Sequence, residues 1–227
     1  MKRSFAILAV IMFGVIFFGL IKGYTERQTI SPLAAYYLTQ VPRELGASNV
    51  VTGILITYRG FDTLGEVAVL FMVAASVGVL LKSKTGQDAP SAGGREPSEL
   101  VRTGAEVILP FIFLFGAYVI MNGHLSAGGG FQGGAVVASG VMLLMLASPA
   151  SQLHHGFLSV TESLAGVIYV SIGVLGIVFA GGFLDSHILP LGKFGTFLSA
   201  GAIPLISALL GIKVGAELSV VIDRFRS

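Results

Sequence analysis

Long apolar runs recur along the chain at about 4–21, 62–81, 104–121, 131–147, 160–182 and 196–214, with polar stretches between them. As a helix, each is long enough to cross a hydrocarbon core of roughly 30 Å. The pattern predicts an all-α, polytopic membrane protein with six transmembrane helices. The stretch "KSKTGQDAPSAGGREPSELVR" between the second and third runs is rich in Gly, Pro, Ser and charge, and reads as a flexible linker. A boundary near Ala92 divides the chain into 1–91, with two spans, and 92–227, with four, so two bundles of two and four helices are expected. The apolar segment 45–58, "LGASNVVTGILITY", is too short to span and suits an interfacial or re-entrant helix. Ser48 or Asn49 is placed to cap it.

Composition agrees with the pattern. Of the 227 residues, 54% are hydrophobic and 11% charged, too few charges for a soluble surface. There is no cysteine, which excludes disulfides, iron–sulfur clusters and thiolate metal sites. The formal net charge is +2 and the basic residues lie near helix ends, so nucleic acid is not an expected partner. The N-terminal run is too long for a signal-peptide core and "IKGYTER" offers no small-residue cleavage site, so it reads as a retained span.

Lys and Arg placement orients the helices. With the N-terminus inside, the inner segments hold Lys2, Arg3, Lys82, Lys84, Arg95, Arg102, Arg224 and Arg226. The outer ones hold Lys22, Arg27, Arg43, Arg59 and Lys193. Lys213 is left aside at a helix edge. The bias favours both termini in the cytoplasm, and counting 45–58 as a span breaks it.

Ionisable groups at membrane depth are expensive and each needs a reason. "YRGFDTLGEVAVLF" puts Asp62 and Glu66 four residues apart on one helical face, with Arg59 beside Asp62. Asp62 reads as a helix cap. Glu66 lies a turn deeper, and two readings stand: it favours the positive helix end, or it faces a polar path. Glu106 pairs with Arg102 or relays protons. Ser159 and Glu162 have capping-box spacing at a helix start. Lys213 and Glu217 are again four apart, at the expected inner end of the last span, where Lys213 can snorkel to the interface. His154, His155 and His187 lack the spacing or carboxylate companions of a metal site.

His124 opens the stretch "GHLSAGGGFQGG" (123–134), which lies between two spans. It lacks the strand–turn–helix setting and Gly-Lys-Ser/Thr ending of a phosphate loop. Gly128, Gly129, Gly130, Gly133 and Gly134 instead remove side chains where helices approach closely. A tight packing corner is expected, with His124 and Gln132 as its polar members. His124 itself reads first as a hydrogen-bonded structural residue.

These residues also carry a resemblance. "YVIMNGHLSAGGGFQGGAVVASGVMLLML" resembles the signature of the B subunit of Mrp-type multisubunit sodium/proton antiporters, and "GIKVGAELS" resembles that family's ending. The likeness covers about 100–227. "SNVVTGILITYRGFDTLGEVAVLF" resembles the C-terminal end of the large A subunit of Mrp antiporters. It is also similar to the E-type subunit of membrane-bound hydrogenases, in which that end is a separate chain.

Two neighbouring subunits joined in one chain imply a non-redox membrane subunit of an Mrp-like sodium/proton-translocating module, coupled to a hydrogenase-like or related oxidoreductase module. A subunit of a stand-alone antiporter is the second reading and a purely structural bracket the third. The resemblance implies other Mrp-like subunits as partners and a prokaryotic cell membrane as the location. Sodium and protons are the implied transported species, with no cofactor in this chain. Glu66 is the first candidate for an ion-exchanging carboxylate, since a carboxylate is both a hard oxygen ligand and a titratable group. Asp62 follows, then His124, Lys213 and Glu217.

Overall fold

A computed structural model describes residues 2–26, 28–82, 97–149 and 154–226; the expected boundary at Ala92 lies outside them. All regular structure among these residues is helical: α1 (Lys2–Gly23), α2 (Pro32–Gln40), α3 (Val50–Gly53), α4 (Gly60–Lys82), α5 (Glu99–Met121), α6 (Gly130–Ala147), α7 (His155–Phe179) and α8 (Ile203–Arg226). Wide π-type turns at Val41–Leu45 and Ile54–Tyr58 and a 3-10 turn at Ser186–Ile188 complete the set. Among the described residues, six helices are long and apolar enough to cross a membrane: Ser4–Gly23, Gly60–Leu81, Glu99–Met121, Gly130–Ala147, Gly156–Phe179 and Ile203–Phe225. The protein is a multi-pass, all-α membrane protein.

The chain forms two compact units, Met1–Tyr36 and Tyr37–Ser227. The first is dominated by α1, in which residues 4–23 are all exposed. The second holds α3 to α8, in which the second span, α4, packs on the last, α8.

In that second unit α8 is the axis. Two-thirds of its spanning window is buried, against 11–39% for α4 to α7, and it packs on α4, α5, α6 and α7. Its sequence explains this. Ser207, Gly211 and Gly215 present small residues to one neighbour, and Ile203, Ile206, Leu210 and Val214 fill the core. Small residues bring helix backbones together where the solvent is lipid.

The last span is the one whose limits differ most from the expected ones, 196–214 against Ile203–Phe225. Residues 196–202 are apolar but not helical. Ala200 and Gly201 take φ of 66° and 57°, and Ala200 and Ala202 donate backbone N–H to the carbonyls of Leu191 and Ser186. At the other end, Lys213 and Glu217 lower the hydropathy of what is the middle of the helix. A window guided by hydropathy therefore slides toward the N-terminus.

The 45–58 segment does not span. Asn49 caps α3, accepting from Thr52 N–H, and a π-type turn leads at Arg59 into α4. Of the two expected caps, Asn49 does the capping.

Candidate functional site

The glycine stretch is a packing corner built on three helices. A Cβ on Gly133 would lie 2.3 Å from Ile120 Cγ1 and 2.8 Å from the Gly116 carbonyl, both on α5. One on Gly130 would lie 2.3 Å from the Ser207 carbonyl, and one on Gly134 2.8 Å from that of Gly211, both on α8. The residues of α6 therefore alternate between two backbones that touch it closely. Gly128 and Gly129 have φ near 150° (152° and 151°), which L side chains rarely adopt. Ser207 adds a hydrogen bond from its hydroxyl to the Ile120 carbonyl at 3.1 Å.

Asn49 fastens the short 45–58 segment to this corner. Its Nδ2 donates to the carbonyls of Gly123 and Ser126, both at 2.8 Å, while its backbone N–H donates to the His124 carbonyl at 3.0 Å. Thr52 Oγ1 donates to the Gly128 carbonyl at 3.3 Å. In the sequence Asn49 was legible only as a cap; its bridge across 74 residues was not. His124 is completely buried, and its Nε2 lies 3.1 Å from the Phe197 carbonyl. Among the described residues its Nδ1 has no hydrogen-bond partner. Burial lowers its pKa from the ordinary 6.5, opposed by the hydrogen bond to the Phe197 carbonyl.

Asp62 lies in the first turn of α4, not at its cap: the helix begins at Gly60. It pairs with Arg59 at 2.5 Å, both side chains about half exposed. Glu66 is exposed on α4 and borders a cavity of about 490 Å³ with Thr52, Thr63, Gly128, Gly129 and Gln132. The fold thus brings Glu66 to the edge of the glycine corner, a proximity no spacing in the sequence reveals. Arg102 and Glu106 are exposed on α5. His187 is held by Asp185, whose Oδ1 lies 2.6 Å from its Nδ1 and accepts its backbone N–H at 2.9 Å.

A second constellation lies deeper. Lys213 Nζ is 3.0 Å from Glu217 Oε2 and 3.2 Å from Glu162 Oε1. Two expectations are corrected here. Lys213 does not snorkel from a helix edge: it is 6% exposed, near the middle of α8, roughly 15 Å in at about 1.5 Å per residue. Ser159 and Glu162 form no capping box, because α7 starts at His155 and both lie inside it. The i, i+4 spacing of Lys213 and Glu217 was the visible signal. Glu162 joined them only through the packing of α7 on α8.

The described residues thus define a multi-pass membrane protein with a glycine packing corner and, separately, two carboxylates and an ammonium buried among its spanning helices. Residues 100–220 match a family model described as a domain related to the MnhB subunit of Na+/H+ antiporters, and residues 1–90 match one described as the E subunit of MBH. The chain belongs to the MnhB-related Na+/H+ antiporter subunit family. It is 38% identical to a chain in the structure of the membrane-bound sulfane sulfur reductase, an archaeal respiratory membrane complex. That match covers 99% of this chain and 97% of the other, with a TM-score of 0.81. A probable K(+)/H(+) antiporter A/B subunit of Rhizobium meliloti is 28% identical over 78% of this chain, which spans 20% of that protein. A chain of the Mrp complex from Dietzia sp. DQ12-45-1b shares the fold, with a TM-score of 0.75 and 24% identity. There 98% of this chain and 26% of the other are covered.

Proposed function

We propose that this protein is a non-redox membrane subunit of an Mrp-like module that exchanges sodium ions for protons, coupled to a membrane oxidoreductase of the hydrogenase or sulfur-reducing type. The two family matches, side by side in one chain, support a fusion of neighbouring subunits at the linker near Ala92. The likeness to a respiratory-complex chain along nearly its whole length supports the oxidoreductase context. A stand-alone antiporter is the second reading, favoured by the Rhizobium meliloti relative. The proteins that co-extract in mild detergent separate the two: oxidoreductase subunits support the first, antiporter subunits alone the second.

One observation carries the ion-handling role. Glu66 lies about 9 Å inside α4, at about 1.5 Å per residue, and faces outward at the mouth of a cavity. A carboxylate at that depth, exposed on its own chain, calls for a polar surface on a neighbouring subunit. Glu66 then exchanges a proton for sodium at the junction, and Asp62, held by Arg59, shapes the local field.

Glu66→Gln keeps the shape and removes the charge. The assembled complex carrying it should lose sodium-dependent proton movement in inverted vesicles by about tenfold or more. Asp62→Asn should do less, since its exposed ion pair contributes on the order of 0.5 kcal/mol. A wild-type rate in an assembled Glu66→Gln complex would leave the structural bracket in place of the ion path.

A further inference from the structure

The role proposed for Glu66 makes no use of the Glu162–Lys213–Glu217 cluster, whose chemistry is unbalanced. Two carboxylates face one ammonium in a membrane helix bundle. Glu217 is fully buried, and among the described residues its Oε1 has no hydrogen-bond partner. With Lys213 shared between two carboxylates, one negative charge of the cluster has no counter-ion, which is strongly disfavoured in such a setting, and the ordinary remedy is to take up a proton.

Among the described residues no second cation forms a salt bridge with Glu162 or Glu217. On α4, Phe71 gives its ring face to Lys213, with Nζ 5.8 Å from the centroid, and Glu66 adds another negative charge beyond Tyr169. On α7, Tyr169 is buried and Glu162 is already in the cluster. α6 carries no titratable residue. On α8, Arg224 shares a cavity wall with Glu217, and its Nη1 donates to the Ala74 carbonyl at 2.8 Å. Asp223 borders neither cavity beside the cluster.

Those cavities give the site two approaches. One, of about 560 Å³, is bordered by Lys213 and Glu162 with Phe71 and Tyr169. The other, of about 460 Å³, is bordered by Glu217 and Glu162 with Ser159 and Arg224. Lys213 borders only the first, Glu217 only the second, and Glu162 both.

We infer that Glu162, Lys213 and Glu217 hold one exchangeable proton between them and pass it from one cavity to the other. With the proton on Glu162, an N–H of Lys213 breaks as an O–H forms on Glu217, which frees the amine lone pair. The O–H of Glu162 then breaks as a new N–H forms on Lys213. The net change is one proton moved from Glu162 to Glu217, with no electron transferred and the ammonium restored. A proton fits better than sodium here. A second cation would stand beside the ammonium, whereas a proton removes a carboxylate charge at its source.

Infrared difference spectroscopy of the purified complex tests this, with deuterium exchange marking the carboxylic acid band. At neutral pH the wild type should show an exchangeable acid band that is insensitive to sodium. Glu217→Gln and Glu162→Gln each leave one carboxylate with one ammonium, so either change should abolish the band. Lys213→Met leaves two carboxylates without a cation and should strengthen it. Glu217→Gln should also slow proton movement in vesicles by about tenfold or more, while Glu66→Gln, acting elsewhere, leaves the band intact.

Absence of the band in the wild type overturns the inference whatever the variants do. So does a band that survives both glutamine changes, or one that emerges only when sodium is removed. Should Glu217→Gln fail to assemble, Glu162→Gln, at a partly exposed position, carries the same prediction.

Discussion

His124 shows how much a single residue's setting depends on the chain around it. By sequence it is a histidine at the head of a glycine run. In the fold it is sealed beneath the segment that carries Phe197, whose carbonyl takes its Nε2–H. With its pKa lowered, the folded state favours the neutral ring, while an unfolded histidine takes a proton below about 6.5. The stability contributed by the neutral ring is therefore fully present above that value. It is lost as pH falls toward the depressed folded pKa. His124→Gln retains a donor for Phe197 and does not titrate. The drop in melting temperature between about pH 7.5 and about pH 5.5 should be smaller in this variant than in the wild type. A thermal scan at the two pH values checks it, and equal drops would mean that His124 does not set the acid sensitivity.

Among the helices, α6 and α8 fit together through missing side chains. Gly130→Ala drives a methyl into the Ser207 carbonyl, and Gly134→Ala presses on that of Gly211. Backbone cannot swing aside as a side chain can, so each should cost about 1–3 kcal/mol and lower the melting temperature of the purified protein. Gly104 in α5 is the control, because a Cβ there meets nothing within 4 Å. Gly104→Ala gains helix propensity of up to about 1 kcal/mol and should leave stability equal or higher. A Gly130→Ala protein as stable as Gly104→Ala would show that the corner is looser than its distances imply.

The whole molecule has a direction in the membrane. Basic residues favour both termini in the cytoplasm. The contacts of Asn49 with residues 123–126, and of His124 with Phe197, put the 45–58 segment, the glycine corner and the 180–202 loop at one end of the second unit. That arrangement suits a 45–58 segment that dips and returns. The native chain has no cysteine, so single introduced cysteines report cleanly. Ala127→Cys should react with an impermeant maleimide on intact cells, and Ser148→Cys only after permeabilisation. The reverse pattern would invert the orientation.

The sequence by itself determined the class, the number of spans and the family. Runs of apolar residues long enough for a bilayer have few alternatives, since lipid leaves backbone groups no partner outside a helix. The glycine run was legible as a packing corner for a similar reason, because a row of absent side chains means close approach. Tertiary structure decided the rest. Glu66 faces outward at a cavity mouth, Asn49 ties the short segment to the corner, and Glu162 leaves its expected capping role to meet Lys213. Hydropathy treated Lys213 and Glu217 as the end of a helix because charge ordinarily marks a boundary with water. A second carboxylate for Lys213 comes from α7, about fifty residues away in sequence. Only the packed bundle shows that the pair lies in the middle of its helix instead.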